Sequence, residues 1–346
     1  MSVRKDYIRP LDLKQGRIDM NHGAGGRASA QLVEELFTRA FDNPALRQGN
    51  DGAVLDLPPG HRLVMATDAH VISPLFFPGG DIGCLAVHGT VNDVAVMGAR
   101  PLYLAASFIL EEGFPLADLA RIVQSMAEAA REAGVPIVTG DTKVVERGKG
   151  DGVFITTTGV GVVPPGRELS GRKARVGDAI LVSGSLGDHG MAIMAQRESL
   201  GFDSPIVSDT AALHGLIAAA LASGADIHVL RDPTRGGLGT TLNEIAKQSG
   251  LGMMLQEKAL PVKPAVAAAC EFLGLDPLYV ANEGRFIAFV PSNEAEKAVT
   301  ILSAKSPSPR VIGQVQKGPS RVTLTNTLGL ERLLDLLYGE PMPRIC

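Results

Sequence analysis

The sequence predicts an α/β (α+β) protein of two domains, and three observations carry that prediction. At 346 residues the chain is about twice the ~150 residues of an average domain. Short runs rich in β-branched and aromatic residues alternate with longer runs whose apolar positions return every three or four residues. The segment VVPPGRELSGRKARVGD, crowded with prolines, glycines and basic residues, breaks the alternation once. Composition supplies enough apolar material for two cores, with 45% of residues hydrophobic and 20% charged.

Residues 1–18 are expected to be a flexible N-terminal segment. In the first domain, 19–165, RLVMAT, PLYLAASFIL, VPIVTG and GVFITTTGVGVV are strand-like, whereas IGCLAVHGTVNDVAVMGA and LADLARIVQSMAEAAREAG are helical. The second domain, 166–338, alternates again. AILVSG is followed by helices over MAIMAQRESL and TAALHGLIAAALASG, then ADIHVLRD. DPTRGGLGTTLNEIAKQSG offers a turn and a glycine-rich helix start, followed by MMLQ, a helix over PAVAAACEFLG, PLYVANEGRFIAFV and a closing helix from LGLERLLDLLYG. Residues 339–346 form a tail.

Several function classes are excluded. A formal net charge of -4 leaves no electrostatic footprint for nucleic acid, and no zinc-finger, helix-turn-helix or RNP signature is present. MSVRKDYIRPLDLKQG holds no signal-like apolar core, and the apolar runs fall short of the ~20 residues a bilayer needs. A cytoplasmic enzyme is the expectation. The three cysteines, Cys84, Cys270 and Cys346, are too widely spaced for a CxxC motif and odd in number. Cys84 and Cys270 read as packed helix residues.

Cys346 is different. Pro341 and Pro343 keep the residues before it from closing into a helix, so the tail reads as extended and mobile. Prenylation would need a cysteine four from the end. From Gly339 the tail reaches roughly 25 Å when extended.

Four aspartates end or follow apolar runs: Asp51 in GNDGAVLDL, Asp68 in LVMATDAHVI, Asp93 in HGTVNDVAVMGA and Asp141 in VPIVTGDTKVV. Each alone also suits a helix cap or turn. Gathered at strand ends, they suit Mg2+ with phosphates. DPTRGGLGTT could bind an anion through Gly236, Gly237 and Gly239 at a helix start, with Asp232 or Thr234 as cap, or simply pack that helix tightly on a sheet. HGAGGRAS matches a GxGxxG/A spacing without a preceding strand, and no Walker loop exists. Lys143 could stabilise developing negative charge and Glu283 could move a proton. His22, His70 and His88 have no zinc-site spacing.

NHGAGGRAS, NDGAVLDL, MATDAHVISPLFFPGGDIG, HGTVNDVAVMGARP, TGDTKVVERGKGDG, DPTRGGL, ANEGR and the terminal PRIC together resemble the HypE family of hydrogenase maturation proteins. That family belongs to the superfamily of aminoimidazole ribonucleotide synthetase, selenophosphate synthetase and thiamine monophosphate kinase. The resemblance implies their two-domain fold, a homodimer formed through the N-terminal domain, and ATP with Mg2+ near its interface. It implies that Asp51, Asp68, Asp93 and Asp141 hold metal, that these with Asn92, Gly236 and Gly237 hold nucleotide, and that Lys143 and Glu283 lie where Cys346 meets ATP. A partner carbamoyltransferase, HypF, would place a carbamoyl group on Cys346. ATP-dependent dehydration would turn that S-carboxamide into a thiocyanate, whose cyanide passes to iron held by HypC and HypD.

Alternatives remain at this point. A selenophosphate synthetase carries its reactive residue near the N-terminus, where the first twenty residues here have no cysteine. A thiamine monophosphate kinase gives PRIC no purpose. A non-catalytic assembly protein would tolerate Cys346→Ser.

Overall fold

The computed structural model describes residues 10–24, 26–48, 52–197, 206–304, 306, 308–337, 339 and 342–346. After a 3-10 turn (Met20–Gly23), α1 (Arg27–Leu32) runs on through a π-helical stretch, Val33–Thr38. Then come β1 (Arg62–His70), the short pair β2 (Phe76–Phe77) and β3 (Gly80–Asp81), α2 (Ile82–Val96), β4 (Arg100–Glu111), α3 (Leu116–Ala133), β5 (Ile137–Val145) and β6 (Val153–Val163). β1, β6, β4 and β5 form one sheet in that order, antiparallel except between β4 and β5. One face is packed. The other leaves Leu63, Met65 and Ile109 exposed.

The second domain contains β7 (Asp178–Val182), α4 (Asp188–Arg197), α5 (His214–Ala222), β8 (Val229–Arg231), α6 (Gly237–Ser249), β9 (Gly252–Gln256), α7 (Pro264–Leu273), β10 (Ile287–Pro291), α8 (Ala295–Ser303), β11 (Arg310–Gln316), β12 (Val322–Thr325) and β13 (Glu331–Leu334). Its seven strands run β13-β12-β9-β11-β7-β10-β8. Successive strand residues point to opposite faces, so β7 feeds two cores. Ile180 and Val182 pack with Leu238 and Leu242 of α6, while Ala179 and Leu181 pack with Ile217 of α5 and Leu302 of α8.

α2 joins the two domains. Asp81 caps it by accepting from the Gly83 and Cys84 N–H groups at 2.8 and 3.1 Å. Its circumference is apolar nearly all round, as suits a helix with protein on every side. β1 and β6 flank it on one side, and its Ala95 and Val96 enter the core of α5 and α8 on the other.

One expected element is corrected. LGLERLLDLLYG is no helix over its described residues: β13 returns antiparallel to β12. The Asn326 side chain accepts from Leu328 and Leu330 N–H, and Gly329 takes a φ of 82°, so the chain turns where a helix would start. Leu328, Leu330 and Leu333 stay exposed while Leu334 is buried. No helix among the described residues is long and apolar enough to cross a membrane.

Candidate active site at the docked terminal cysteine

The β8–α6 loop, DPTRGG, brings the second domain to the edge of the first. Gly236 and Gly237 have φ of 76° and 61°, a region open chiefly to glycine. A Cβ on Gly237 would lie 2.6 Å from the Val280 carbonyl oxygen. The α6 N-terminus therefore opens directly onto a cleft of about 890 Å3, lined also by Val64, Ala66, Asp93, Asp232 and Arg235. Such a terminus favours anions.

Four carboxylates act on one another here, of which Asp93 and Asp232 line the cleft. Asp68 comes from β1, Asp93 from α2, Asp232 from the DPTRGG loop and Glu283 from the loop before β10. Glu283 is buried, with no partner for its Oε1, and Asp232 Oδ2 likewise lacks one. Burial, then the charges of Asp209, Asp232, Asp68 and Asp93, pushes Glu283 well above the usual carboxyl range. Asp93 is raised by burial and by Asp232 and Asp68, and Asp232 by burial with Asp68 adding to it. Burial also pulls Asp68 upward, but His70, 3.3 Å away, and the Ala69 N–H hold it below its ordinary value.

The tail ends beside this group. The Ile345 and Met342 side chains are buried, and Cys346 is half-buried. Arg235 directs an Nη2–H at the Cys346 sulfur from 3.8 Å. Burial and the Glu283 charge push the thiol up to about 12, against the pull of Arg235. The expected exposed terminal thiol is thus, in this conformation, docked and un-ionised. Arg344, two residues before Cys346, pairs with Asp151.

The remaining expected residues divide. Asp51 lies outside the described residues. Asn92 donates to the Ala211 carbonyl at 3.0 Å and the Glu283 carbonyl at 3.3 Å, and accepts from Leu213 N–H at 2.7 Å, so its amide fixes the backbone that carries Glu283. Lys143 grips Asp141 at 2.7 and 2.9 Å near the β5 edge. Both line a second cavity, of about 270 Å3, with Phe37, Phe108, Ile137 and His22. Cross-strand partners share a face. Asp68 stands in the row of Thr157, Ala106 and Gly140, and Asp141 in the row of Ala69, Thr156 and Ser107. Within one chain, then, Asp141 and Lys143 point away from the Asp68 side of the sheet.

Among the described residues no three potential ligands converge closely enough to hold one metal ion. The donor chemistry still fits Mg2+, which commonly takes one or two carboxylates plus phosphate oxygens rather than an all-protein cage. The orphaned oxygens of Asp232 and Glu283 are the structural sign of an incomplete charge balance. Asp232 was legible only as a helix cap, and Arg235, His189 and Arg197 were not singled out. A basic residue inside the glycine turn DPTRGG was the one available signal for Arg235.

Residues 49–163 match the family described as AIR synthase related protein, N-terminal domain, and residues 175–325 its C-terminal domain. Carbamoyl dehydratase HypE of Cupriavidus necator is 64% identical, covering 100% of this chain and 99% of that relative. A crystal structure of hydrogenase maturation protein HypE in complex with ATP is 51% identical, with a TM-score of 0.91 over 94% of this chain and 99% of that one. A crystal structure of a HypE–HypF complex matches with a TM-score of 0.77 and 50% identity over 88% of this chain and 99% of the other. Carrying both domains of that fold and the PRIC end at its carboxylate cleft, the chain belongs to the HypE family of carbamoyl dehydratases, the hydrogenase maturation proteins.

Proposed function

We propose that this enzyme uses ATP to dehydrate an S-carboxamide on its own Cys346 to a thiocyanate, supplying cyanide for the iron centre of [NiFe] hydrogenase. The observation that carries the reading is the placement of the Cys346 sulfur beside Arg235 and the buried Glu283. A tethered carboxamide meets the nucleotide without a bimolecular encounter.

The carboxamide oxygen attacks the γ-phosphorus of ATP, which releases ADP, and one nitrogen proton leaves. Phosphate then departs from carbon as the second nitrogen proton is removed, leaving S–C≡N. Glu283, once ionised, takes one nitrogen proton and the departing phosphate carries off the other: a carboxylate that is hard to ionise is a strong base once ionised. Lys143 stabilises charge on the phosphoryl oxygens. The α6 N-terminus at Gly236 and Gly237 faces the phosphates. Asp68, Asp93 and Asp232, with Asp51 and Asp141, would hold Mg2+, which supplies positive charge to the phosphate oxygens when bound.

Two copies are needed for this assembly. The exposed sheet face with Leu63, Met65 and Ile109 also carries Asp141 and Lys143, so pairing it with a second copy brings those groups into a shared site. The ATP-bound and HypF-bound relatives support nucleotide and carbamoyltransferase as partners. A docked thiol near pKa 12 is a poor acceptor for a carbamoyl group. Loading by HypF therefore takes place with the tail swung out, and delivery to the HypC–HypD iron does too. The setting is the cytoplasm.

Intact mass before and after MgATP tests the reading. A carbamoyl adduct that loses one water, absent in Cys346→Ala, is expected. An adduct unchanged by MgATP would redirect attention to small-molecule phosphorylation.

A further inference from the structure

α4 presents two polar side chains two turns apart, His189 and Arg197, with the fully buried Ile193 between them. Neither belongs to the carboxylate group. His189 Nε2 lies 2.7 Å from the Ile345 carbonyl oxygen, and Nδ1 lies 2.8 Å from Ser208 Oγ. A carbonyl can only accept, so Nε2 carries the proton and Ser208 donates its hydroxyl proton to Nδ1. Phe77 holds the ring edge-on, at 5.5 Å between centroids. Burial depresses the basicity of this imidazole, which keeps it neutral and the tautomer fixed.

Arg197 works at the other end. Its guanidinium donates to Pro343 O at 2.6 Å, to Arg344 O, and to Ser73 O on the chain leaving β1. That same chain donates Val71 N–H to Cys346 O at 3.2 Å and Ser73 N–H to Arg344 O at 3.3 Å, a short antiparallel pairing. The main-chain oxygens of 343, 344, 345 and 346 all accept hydrogen bonds in this scheme. None of these contacts involves the Cys346 sulfur.

We propose that the His189 and Arg197 face of α4 is a latch that reads the tail backbone, with both residues positioning Cys346 at the carboxylate cleft whatever group its sulfur carries. Free thiol, carboxamide and thiocyanate then dock by the same hydrogen bonds, and the buried Met342 and Ile345 side chains supply the apolar anchors. Main-chain pairing gives retention, and two side-chain sites give selectivity. The latch explains how a segment that must visit a partner protein returns to one register. It deepens the function proposed above for the same cysteine.

Site-resolved alkylation of the full chain by iodoacetamide, followed by peptide mass spectrometry, tests it without ATP or a carbamoyl donor. Losing charge-assisted bonds to the tail in Arg197→Ala should speed Cys346 labelling by about tenfold or more. Arg197→Lys keeps the charge but not the fork, so its rate should fall between. Ser208→Ala, which frees the His189 tautomer, should also speed labelling. The buried Cys270 and partly buried Cys84 serve as internal controls for general loosening. Labelling of Cys346 at the wild-type rate in all three variants overturns the latch, as does a parallel rise at all three cysteines. Either failure leaves ATP-dependent dehydration intact as a separate question, since its mass signature is read independently.

Discussion

Asp68 and Asp141 belong to the same four-stranded sheet but to adjacent cross-strand rows, so their carboxylates point to opposite faces. A single chain therefore cannot bring both to one phosphate group through that sheet alone. Met65 is the most exposed large apolar residue on the Asp141 face, at 68%. Met65→Lys is expected to yield a folded monomer with ATP turnover strongly reduced. Light scattering gives the assembly state, and an unchanged melting temperature shows that the loss is not unfolding; a monomer with full turnover would remove the need for a second copy.

Glu283→Gln should separate loading from dehydration. Removing a general base typically costs about 10²–10⁴ in rate. The carbamoyl adduct should form normally and persist in MgATP when followed by intact mass. Because the lost carboxyl has an unpaired buried oxygen among other acids, melting temperature should hold or rise.

His88 gives a pH signature outside the catalytic group. Burial, with His214 nearby, pushes it down to about 4. Below ~6.5 the unfolded chain takes up a proton that the folded chain refuses. Stability is therefore full above that pH and declines as pH falls toward 4, by up to about 3 kcal/mol. Denaturant melts of His88→Gln, which can still bond Thr210, should show a flatter slope over this window. An identical slope would assign the acid sensitivity elsewhere.

Gly237→Ala is expected to cost about 1–3 kcal/mol, from its positive φ and the Val280 carbonyl in its path. Nucleotide affinity, measured by calorimetry, should fall more than in Gly236→Ala, whose added Cβ meets only the Thr240 side chain.

Much of this was legible in the chain. The strands around Asp68 and Asp141 and the amphipathic α3 follow from periodicity, and these aspartates stand out in small polar clusters beside apolar runs, although Asp68, Asp93 and Asp141 sit inside β1, α2 and β5 rather than in loops. LGLERLLDLLYG misled because a run of leucines has the same appearance in a helix and in an exposed hairpin, and Asn326 decided between them. β12 alternates but spans only the four residues VTLT, and the alternation of β11 is interrupted at Gly313, so neither was singled out. Arg197 and His189 could not have been found by spacing, since their partners are tail carbonyls more than 140 positions away.

α2 has a consequence for how the enzyme cycles. Its Asn92 binds backbone of the second domain while its other sides lie in the first domain's core. A helix shared in this way makes the two domains one frame, and hinged closure would have to tear its packing apart. On the function proposed above, a frame held this way leaves the carrying of cargo to the tail, residues 339–346, whose Cys346 comes to the carboxylates while they stay in place.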